Sequence, residues 1–193
     1  VRDLARRGLI AQHAKGTLLI QEGDVGDSIH IILWGRLRSF SVDAQSGREI
    51  TYGIFGPGEY LGEMGLDGGP RSASVITLEP SVCALVRRAT LEQFITEHPS
   101  FAFELLTKAI RRARAATLSA RQMALTDVYG RLTALLDSLA ELQPDGMRSI
   151  GERLTHQDIA NRIGCTREMV SRVMRDLETG GHVQQERGVI SLR

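Results

Sequence analysis

The sequence contains little of what marks disulfide-rich, metal-binding or membrane-spanning proteins. Two of its 193 residues are cysteines and 5% are aromatic. Cys83 and Cys165 stand in unrelated surroundings without metal-ligand spacing, so we expect two reduced thiols and no metal site. The longest apolar stretch, residues 29–34, is interrupted by His30 and is far shorter than the ~20 residues that span a bilayer. We therefore expect a cytoplasmic protein without a membrane partner; the first residue, Val1, suggests that a short stretch precedes it.

The sequence also lacks a marked net charge. Its 24 Lys and Arg residues against 23 Asp and Glu residues give a formal charge of +1, which excludes a histone-like, globally basic binder. The charge is nevertheless uneven, because residues 108–127 carry five basic side chains against one acidic side chain. All cations except Lys15 and Lys108 are arginines. Arginine suits bidentate contact with phosphate or guanine, although genome composition explains the excess equally well.

Short strands separated by turns are predicted for residues 16–88. Glycines stand at 23, 35, 47 and 58, and β-branched and aromatic residues are concentrated at 29–34, 37–42, 49–55, 74–78 and 82–86. Turn signals at this spacing are typical of an antiparallel sandwich or roll rather than of βαβ units. A metal-dependent enzyme on such a roll would need clustered histidines, but only His13 and His30 lie in this region.

Helical periodicity replaces this pattern after Thr90. Residues 101–126 contain neither Gly nor Pro and predict one long helix, whose apolar stripe steps by four and three residues as in a coiled coil. A single helix cannot bury that stripe alone, so we expect a second copy of the chain against it. A bend near Asp127, an amphipathic helix over 128–142 and a turn at 144–146 follow.

Residues 154–178 predict a helix-turn-helix. Thr155 and Asp158 resemble a capping box, Ile159 and Ile163 supply an apolar face, and Ala160 is small where two helices would cross. Gly164 would end the first helix, and Thr166 would cap the second after a very short connection. A small hairpin, with strands at 182–185 and 189–192 around the turn 186–188, would form a wing beside it.

The second helix of this motif separates polar from apolar side chains. At 100° per residue, Arg167, Glu168, Ser171, Arg172 and Arg175 occupy one half and the apolar residues the other. Arg can pair bidentately with guanine, and Glu can accept a hydrogen bond from cytosine, so this face predicts DNA reading. A merely solvated amphipathic helix would show the same division.

A glycine-rich segment, residues 58–75, predicts an anion site. A helical turn that begins near Gly62 would direct free N–H groups at an anion, and Arg71 with Ser72 would add further donors. Glu63 suits a ligand that also carries a hydroxyl group, such as a ribose. The alternative is a glycine-rich turn with a surface arginine.

These motifs resemble the cyclic AMP receptor protein/fumarate-nitrate regulator (CRP/FNR) superfamily of bacterial transcription factors. Residues 62–73 are similar to its phosphate-binding cassette, and residues 127–132 and 163–168 to its hinge and recognition region. The resemblance implies an α+β protein: an N-terminal antiparallel β-roll of the jelly-roll, cyclic-nucleotide-binding type over 1–100, a long dimerisation helix and hinge over 101–127, and a C-terminal winged helix-turn-helix domain over 128–193.

The resemblance also implies site residues and partners. Glu63 would bind the ribose hydroxyl and Arg71 with Ser72 the cyclic phosphate; Thr117 would reach the base, and the remaining ligand-binding residues would be Gly62, Met64 and Ala73. DNA would be contacted by Thr155, His156, Gln157, Thr166, Arg167, Glu168, Ser171 and Arg172. The implied partners are double-stranded DNA, a second copy of the chain and RNA polymerase, and the implied effector is cyclic AMP.

Departures from the family pattern leave the effector open. The cyclic AMP receptor protein offers Thr-Ser to the adenine, where this sequence has Ala116-Thr117, so one base contact is lost. Cyclic GMP, cyclic di-GMP, haem held by Cys83 or His30, or no effector at all are the alternatives. The cysteine cluster of the iron–sulfur oxygen sensors is missing. Arg167 matches the cyclic AMP branch and Ser171 the fumarate-nitrate branch; we expect TGTGA-like half-sites.

Overall fold

A computed structural model describes residues 1–144, 146–186 and 189–192. The chain forms two compact units, one made of Val1–Asp43 and Thr51–Arg111, the other of Ala44–Ile50 and the residues from Arg112 onward. The helices are α1 Arg2–Ala5, α2 Arg88–Glu97, α3 Ser100–Leu125, α4 Val128–Leu139, α5 His156–Ile163 and α6 Arg167–Thr179, with a 3-10 helix at Glu63–Asp67. The strands are β1 Leu9–His13, β2 Leu18–Ile20, β3 Ser28–Trp34, β4 Leu37–Val42, β5 Glu49–Phe55, β6 Tyr60–Leu61, β7 Ser74–Thr77, β8 Ser81–Arg87, β9 Ala140–Leu142, β10 Arg148–Ile150, β11 Val183–Glu186 and β12 Val189–Leu192.

Two antiparallel four-stranded sheets build the predicted β-roll. One has the strand order β1-β8-β3-β6 and the other β2-β7-β4-β5. Because alternate residues of a strand face opposite sides of its sheet, β3 contributes to two separate apolar clusters. Ile29 and Ile31 pack with Phe94 and Phe101 of the helices, whereas Ile32 packs with residues of both sheets. We call this second cluster the inner cluster of the roll; it contains Ile20, Ile32, Leu37, Leu61, Val75 and Cys83.

The second unit contains a three-helix core and a third sheet. Leu132, Leu136, Ile159, Met174 and Ile190 are almost fully buried there. The sheet has the order β11-β12-β10-β9, which is two strands more than the predicted hairpin. The winged helix-turn-helix fold is confirmed, while Asp145, Arg187 and Gly188 of the two predicted turns and Arg193 lie outside the described residues.

The predicted helix over 128–142 is three residues too long. Helix α4 ends at Leu139, because Ala140 adopts an extended backbone with φ −81° and ψ 125°. Residues 140–142 instead form β9, which pairs antiparallel with β10 in the register Ala140 to Ile150. Pairing with the next strand of the chain, β10, has therefore overridden the helical pattern.

The long helix is confirmed within one residue of its predicted ends. It runs from Ser100 to Leu125, and several of its large apolar side chains are exposed within the single chain: Phe103, Leu106, Ile110, Leu118 and Leu125. Exposed apolar side chains in a row mark a surface that needs a partner. Over the described part of the chain, no helix has both the length and the apolar character that crossing a membrane requires.

Candidate functional sites

The glycine-rich segment forms a tight turn and a short 3-10 helix in the roll. Gly62 has φ 96°, a left-handed conformation that glycine adopts without steric cost, and the 3-10 helix Glu63–Asp67 follows it directly. Gly68 closes the helix in the same conformation, with φ 91°. The chain then returns through Pro70 to Arg71, which brings the arginine back to the start of the turn.

Arg71 is the buried cation of this segment. Its side chain is only 7% exposed; Nη1 donates to the Gly62 carbonyl at 2.6 Å, and Nη2 donates to the Ser28 carbonyl at 2.9 Å. Burial lowers the pKa of the guanidinium, and the nearby carboxylates of Asp27 and Glu63 oppose that shift. A guanidinium has five N–H donors, so these contacts fix its position and still leave donors for an anion.

Three glycines provide the space that Arg71 occupies. A Cβ on Gly26 would lie 2.5 Å from Nη2, one on Gly62 would lie 2.8 Å from Nη1, and one on Gly65 would lie 3.1 Å from Nη1. The sequence predicted an anion-binding turn that begins near Gly62. The structure shows a further role for Gly62, Gly26 and Gly65, because they allow the guanidinium of Arg71 to pack against the backbone that holds it.

Replacing Gly26 with alanine tests this packing. The new Cβ collides with the guanidinium, so we expect overpacking to lower the free energy of unfolding by about 1–3 kcal/mol and to weaken anion binding. Gly56→Ala is the matched control, since a Cβ there meets nothing within 4 Å. Urea unfolding of the two variants measures the difference; equal stabilities would contradict the assigned role of Gly26.

The other predicted ligand residues of the glycine-rich segment lie close to Arg71 in the sequence, whereas Thr117 lies in the long helix. Ser72 is exposed and its hydroxyl donates to the Met64 sulfur at 3.2 Å, while Glu63 and Ala73 are half-buried. Thr117, by contrast, belongs to the second unit, where its hydroxyl donates to the Ala113 carbonyl at 3.0 Å. The structure thus brings together Gly62, Glu63, Met64, Arg71, Ser72 and Ala73.

The helix-turn-helix is held by the caps that the sequence predicted. Thr155 and Asp158 form a reciprocal capping box, with 2.9 Å from the Thr155 N–H to the carboxylate and 3.1 Å from the Asp158 N–H to the hydroxyl. Gly164 ends α5 with φ 67°, in the left-handed region. Thr166 then caps α6 by accepting a hydrogen bond from the Met169 N–H. These caps fix a connection of three residues, 164–166, between the helices.

Helix α6 presents a charged face to solvent. Val170, Val173, Met174 and Leu177 are buried, and the side chains of the opposite face are exposed, among them Arg167, Glu168, Arg172 and Arg175. The pKa of the Glu168 carboxyl is lowered by its own backbone N–H and then by the Thr166 hydroxyl, which keeps it an anionic acceptor. Arg175 extends the face by one turn beyond the residues that the resemblance implied.

Three of the predicted DNA-contacting side chains form hydrogen bonds within the protein. The ring nitrogen Nδ1 of His156 and the hydroxyl of Ser171 are hydrogen-bonded at 2.8 Å, which ties the start of α5 to the middle of α6. The Gln157 amide donates to the side chain of Asn161 at 2.7 Å. Asn161 is buried and donates in turn to Glu49 at 2.8 Å. The His156–Ser171 bond joins the two helices, and the bonds of Asn161 tie α5 to Glu49, contacts that spacing alone does not reveal.

Arg131 joins the ends of two helices. Its Nη1 donates to the Thr126 carbonyl at 2.6 Å, just beyond α3, and its Nε donates to the Ile163 carbonyl at 3.0 Å, at the end of α5. Asp127 caps α4 by accepting from the Gly130 N–H at 2.8 Å. The family resemblance implied a hinge at residues 127–132. In the structure, the side chain of Arg131 connects this segment with the helix-turn-helix.

The two cysteine thiols are held in their protonated form. Burial raises the pKa of Cys83 to about 11, and it also raises the pKa of Cys165, so both thiols are protonated at neutral pH. Across the residues that the structure describes, no group of three or more His, Cys, Asp and Glu side chains is arranged to hold a metal ion.

Comparisons with known proteins agree with this geometry. Residues 11–98 match the cyclic nucleotide-binding domain family, and residues 153–182 match the family of bacterial regulatory proteins of the crp type. A CRP-like cAMP-activated global transcriptional regulator of Mycobacterium tuberculosis is 30% identical over 176 residues, which cover 89% of this chain and 78% of that protein. The cyclic AMP receptor protein of Thermus thermophilus is 29% identical over 182 residues, which cover 94% and 82% of the two chains.

A solved structure has the same fold. The c-di-GMP responsive global regulator CLP of Xanthomonas campestris superposes with a TM-score of 0.86 at 23% identity, over 99% of this chain and 96% of that one. The cassette, the helix-turn-helix and these relatives define a bacterial transcription regulator with a cyclic nucleotide-binding domain. The chain belongs to the CRP/FNR family.

Proposed function

We propose that the chain is a homodimeric, sequence-specific transcription regulator whose affinity for DNA is raised by a cyclic nucleotide. The proposed nucleotide is cyclic AMP. The observation that supports this most is the buried guanidinium of Arg71. Backbone carbonyls hold it in place, and its remaining N–H groups can donate to an anion. A site of this kind selects a single anionic group such as a cyclic phosphate. The names of the similar cAMP-activated regulators favour cyclic AMP among the candidates.

The proposed ligand contacts follow from the cassette. Arg71 and Ser72 would bind the cyclic phosphate, with Gly62, Met64 and Ala73 lining the site, Glu63 accepting a hydrogen bond from the ribose hydroxyl and Thr117 reaching the base. Calorimetric titration with cyclic AMP, cyclic GMP and cyclic di-GMP tests this assignment. We expect cyclic AMP to bind most tightly; preferential binding of either other nucleotide would replace it as the effector.

The dimer would form along α3. The exposed side chains of Leu106, Ile110 and Leu118 recur at spacings that place them near one face of the helix, and a second copy of the same helix would cover them. Sedimentation velocity tests this expectation: we expect a single species of twice the chain mass, whereas a monomer at micromolar concentration would contradict the proposed dimer.

Three consecutive parts of the chain would have separate functions. Residues 1–100 would bind the nucleotide, 101–127 would dimerise and bend, and 128–193 would read DNA, with RNA polymerase as a further partner in a cytoplasmic setting. The nucleotide would shift an equilibrium between two settings of the segment around Asp127. One setting would place the two recognition helices about 34 Å apart, in successive major grooves.

The start of helix α6 would read the half-site. Arg167, Glu168 and Arg172 would contact bases of a TGTGA-like sequence, while Thr166 and Ser171 would contact the duplex beside them. Thr155, His156 and Gln157 would contact the DNA from the start of α5. Base contacts give sequence specificity, whereas phosphate contacts give affinity that falls with salt concentration.

Replacing Arg172 with alanine tests the base contact. We expect a loss of about 1–3 kcal/mol on the preferred half-site and relaxed specificity at one base pair. Arg175→Ala is the matched variant, because Arg175 lies on the same helix about one turn farther from its N-terminus. We expect it to weaken binding to all sequences alike, as a phosphate contact does. A uniform loss for Arg172→Ala in competition binding would make Arg172 a phosphate contact instead.

A further inference from the structure

His30 is a buried histidine with an unpartnered ring nitrogen. The residue is 7% exposed, and no described residue forms a hydrogen bond with its Nδ1. An unpartnered buried polar atom is rare in native proteins, because it loses its hydrogen bonds to water without replacement. A functional role would explain why this buried position carries an imidazole.

The position of His30 in β3 places it next to the anchors of Arg71. It shares the inner face of the strand with Ser28 and Ile32, because side chains alternate along a strand. Across the sheet it pairs with Leu61 of β6, the residue directly before Gly62. Ser28 and Gly62 are the two residues whose carbonyls hold the guanidinium of Arg71. The imidazole therefore lies on the inner face of the roll, beside the proposed phosphate anchor.

The surroundings keep His30 uncharged. Burial, followed by the positive charges of Arg71 and His13, lowers its pKa to about 4. At neutral pH the ring therefore adds no charge to the anion site, and each of its nitrogens can donate or accept according to the tautomer. A neutral group beside a fixed cation can distinguish ligands that carry the same charge.

We propose that His30 is a ligand-contacting residue that determines which cyclic nucleotide the roll accepts. This proposal rests on the proposed function, in which Arg71 holds the cyclic phosphate. Nδ1 of His30 forms a hydrogen bond with an uncharged polar group of the same nucleotide, on its base or its sugar. Arg71 then supplies affinity for every cyclic nucleotide, and His30 supplies preference among them.

His30→Phe separates this role from a structural one. The substitution keeps an aromatic ring of similar size and removes the polar nitrogens. We expect the affinity for the preferred cyclic nucleotide to fall about 10-fold, the affinities for the others to change less than about 3-fold, and the preference to collapse. The melting temperature without nucleotide should stay the same or rise, because an unpartnered polar atom is lost.

Two further variants sharpen the test. His30→Asn keeps a polar atom near the position of Nδ1 and should restore part of the preference. His13→Phe changes the other histidine of the roll, which is half-buried on β1, and should leave the preference unchanged. Calorimetric titration of all variants with cyclic AMP and cyclic GMP, with thermal unfolding in parallel, provides the measurements.

The outcomes distinguish the two proposals. Wild-type protein that binds neither cyclic AMP nor cyclic GMP would overturn the nucleotide-binding function together with the role of His30. Normal binding by the wild type and an unchanged preference in His30→Phe would overturn only the role of His30. A lower melting temperature with an unchanged preference would make His30 a structural residue. A Soret band that disappears in His30→Phe would make it an iron ligand instead.

Discussion

Arg71→Met should abolish the response to cyclic AMP. Methionine fills part of the same volume but supplies neither charge nor donors, so the cyclic phosphate would lose its charge-assisted hydrogen bonds. Leaving a buried anionic group unpaired costs about 3 kcal/mol or more, which corresponds to a loss of affinity of at least about 100-fold. Calorimetric titration measures the affinity. An affinity close to that of the wild type would contradict the assignment of residues 62–73 as the phosphate-binding site.

The same substitution should also weaken the fold. The carbonyl groups of Gly62 and Ser28 both accept hydrogen bonds from Arg71, and each would be left without that donor. We expect a loss of about 1–3 kcal/mol for each carbonyl that water does not reach. Arg71→Lys is the companion variant: it keeps the charge but not the fork of donors, so binding should weaken while some response remains. Ser72→Ala, at an exposed position, should change stability little.

Ile159→Ala should unfold the DNA-reading unit more readily than any surface change there. Ile159 is 0% exposed and packs in the core of helices α4, α5 and α6. Truncation of a buried isoleucine to alanine costs about 2–5 kcal/mol, because the lost burial is joined by the cavity left behind. With α5 loosened against α6, specific DNA binding should fall as well.

Urea unfolding and a duplex-binding assay measure both effects of Ile159→Ala. Leu142→Ala is the control in the same unit, since Leu142 is 75% exposed and should tolerate truncation within about 0.5 kcal/mol. A loss below about 1 kcal/mol for Ile159→Ala would contradict the proposed core.

Local signals in the sequence predicted the DNA-reading motif well. The ends of α5 and the start of α6 depend on Thr155, Asp158, Gly164 and Thr166, and each of these acts within three or four residues of itself. The polar face of α6 follows from helical geometry alone. A short-range cause of this kind is visible in the order of residues, so the structure confirms it almost residue by residue.

Contacts between separate helices and strands could not be predicted in the same way. The pairing of β9 with β10 converted the end of a predicted helix into a strand. Arg71 is held by the carbonyl of Ser28, 43 residues away in sequence, and no local pattern marks Gly26 as a glycine that makes room for it. The bond of His156 to Ser171 likewise depends on how two helices cross. Such contacts exist only once the chain has folded.

In the proposed function, a nucleotide bound in the β-roll changes the affinity of the helix-turn-helix for DNA. The most direct test is the fluorescence anisotropy of a labelled palindromic duplex with two TGTGA-like half-sites, titrated with protein at one salt concentration, with and without saturating cyclic AMP. We predict that cyclic AMP tightens binding to this duplex by at least about 10-fold and leaves a scrambled duplex unaffected. Equal affinity with and without the nucleotide, under conditions in which calorimetry shows it bound, would contradict the account.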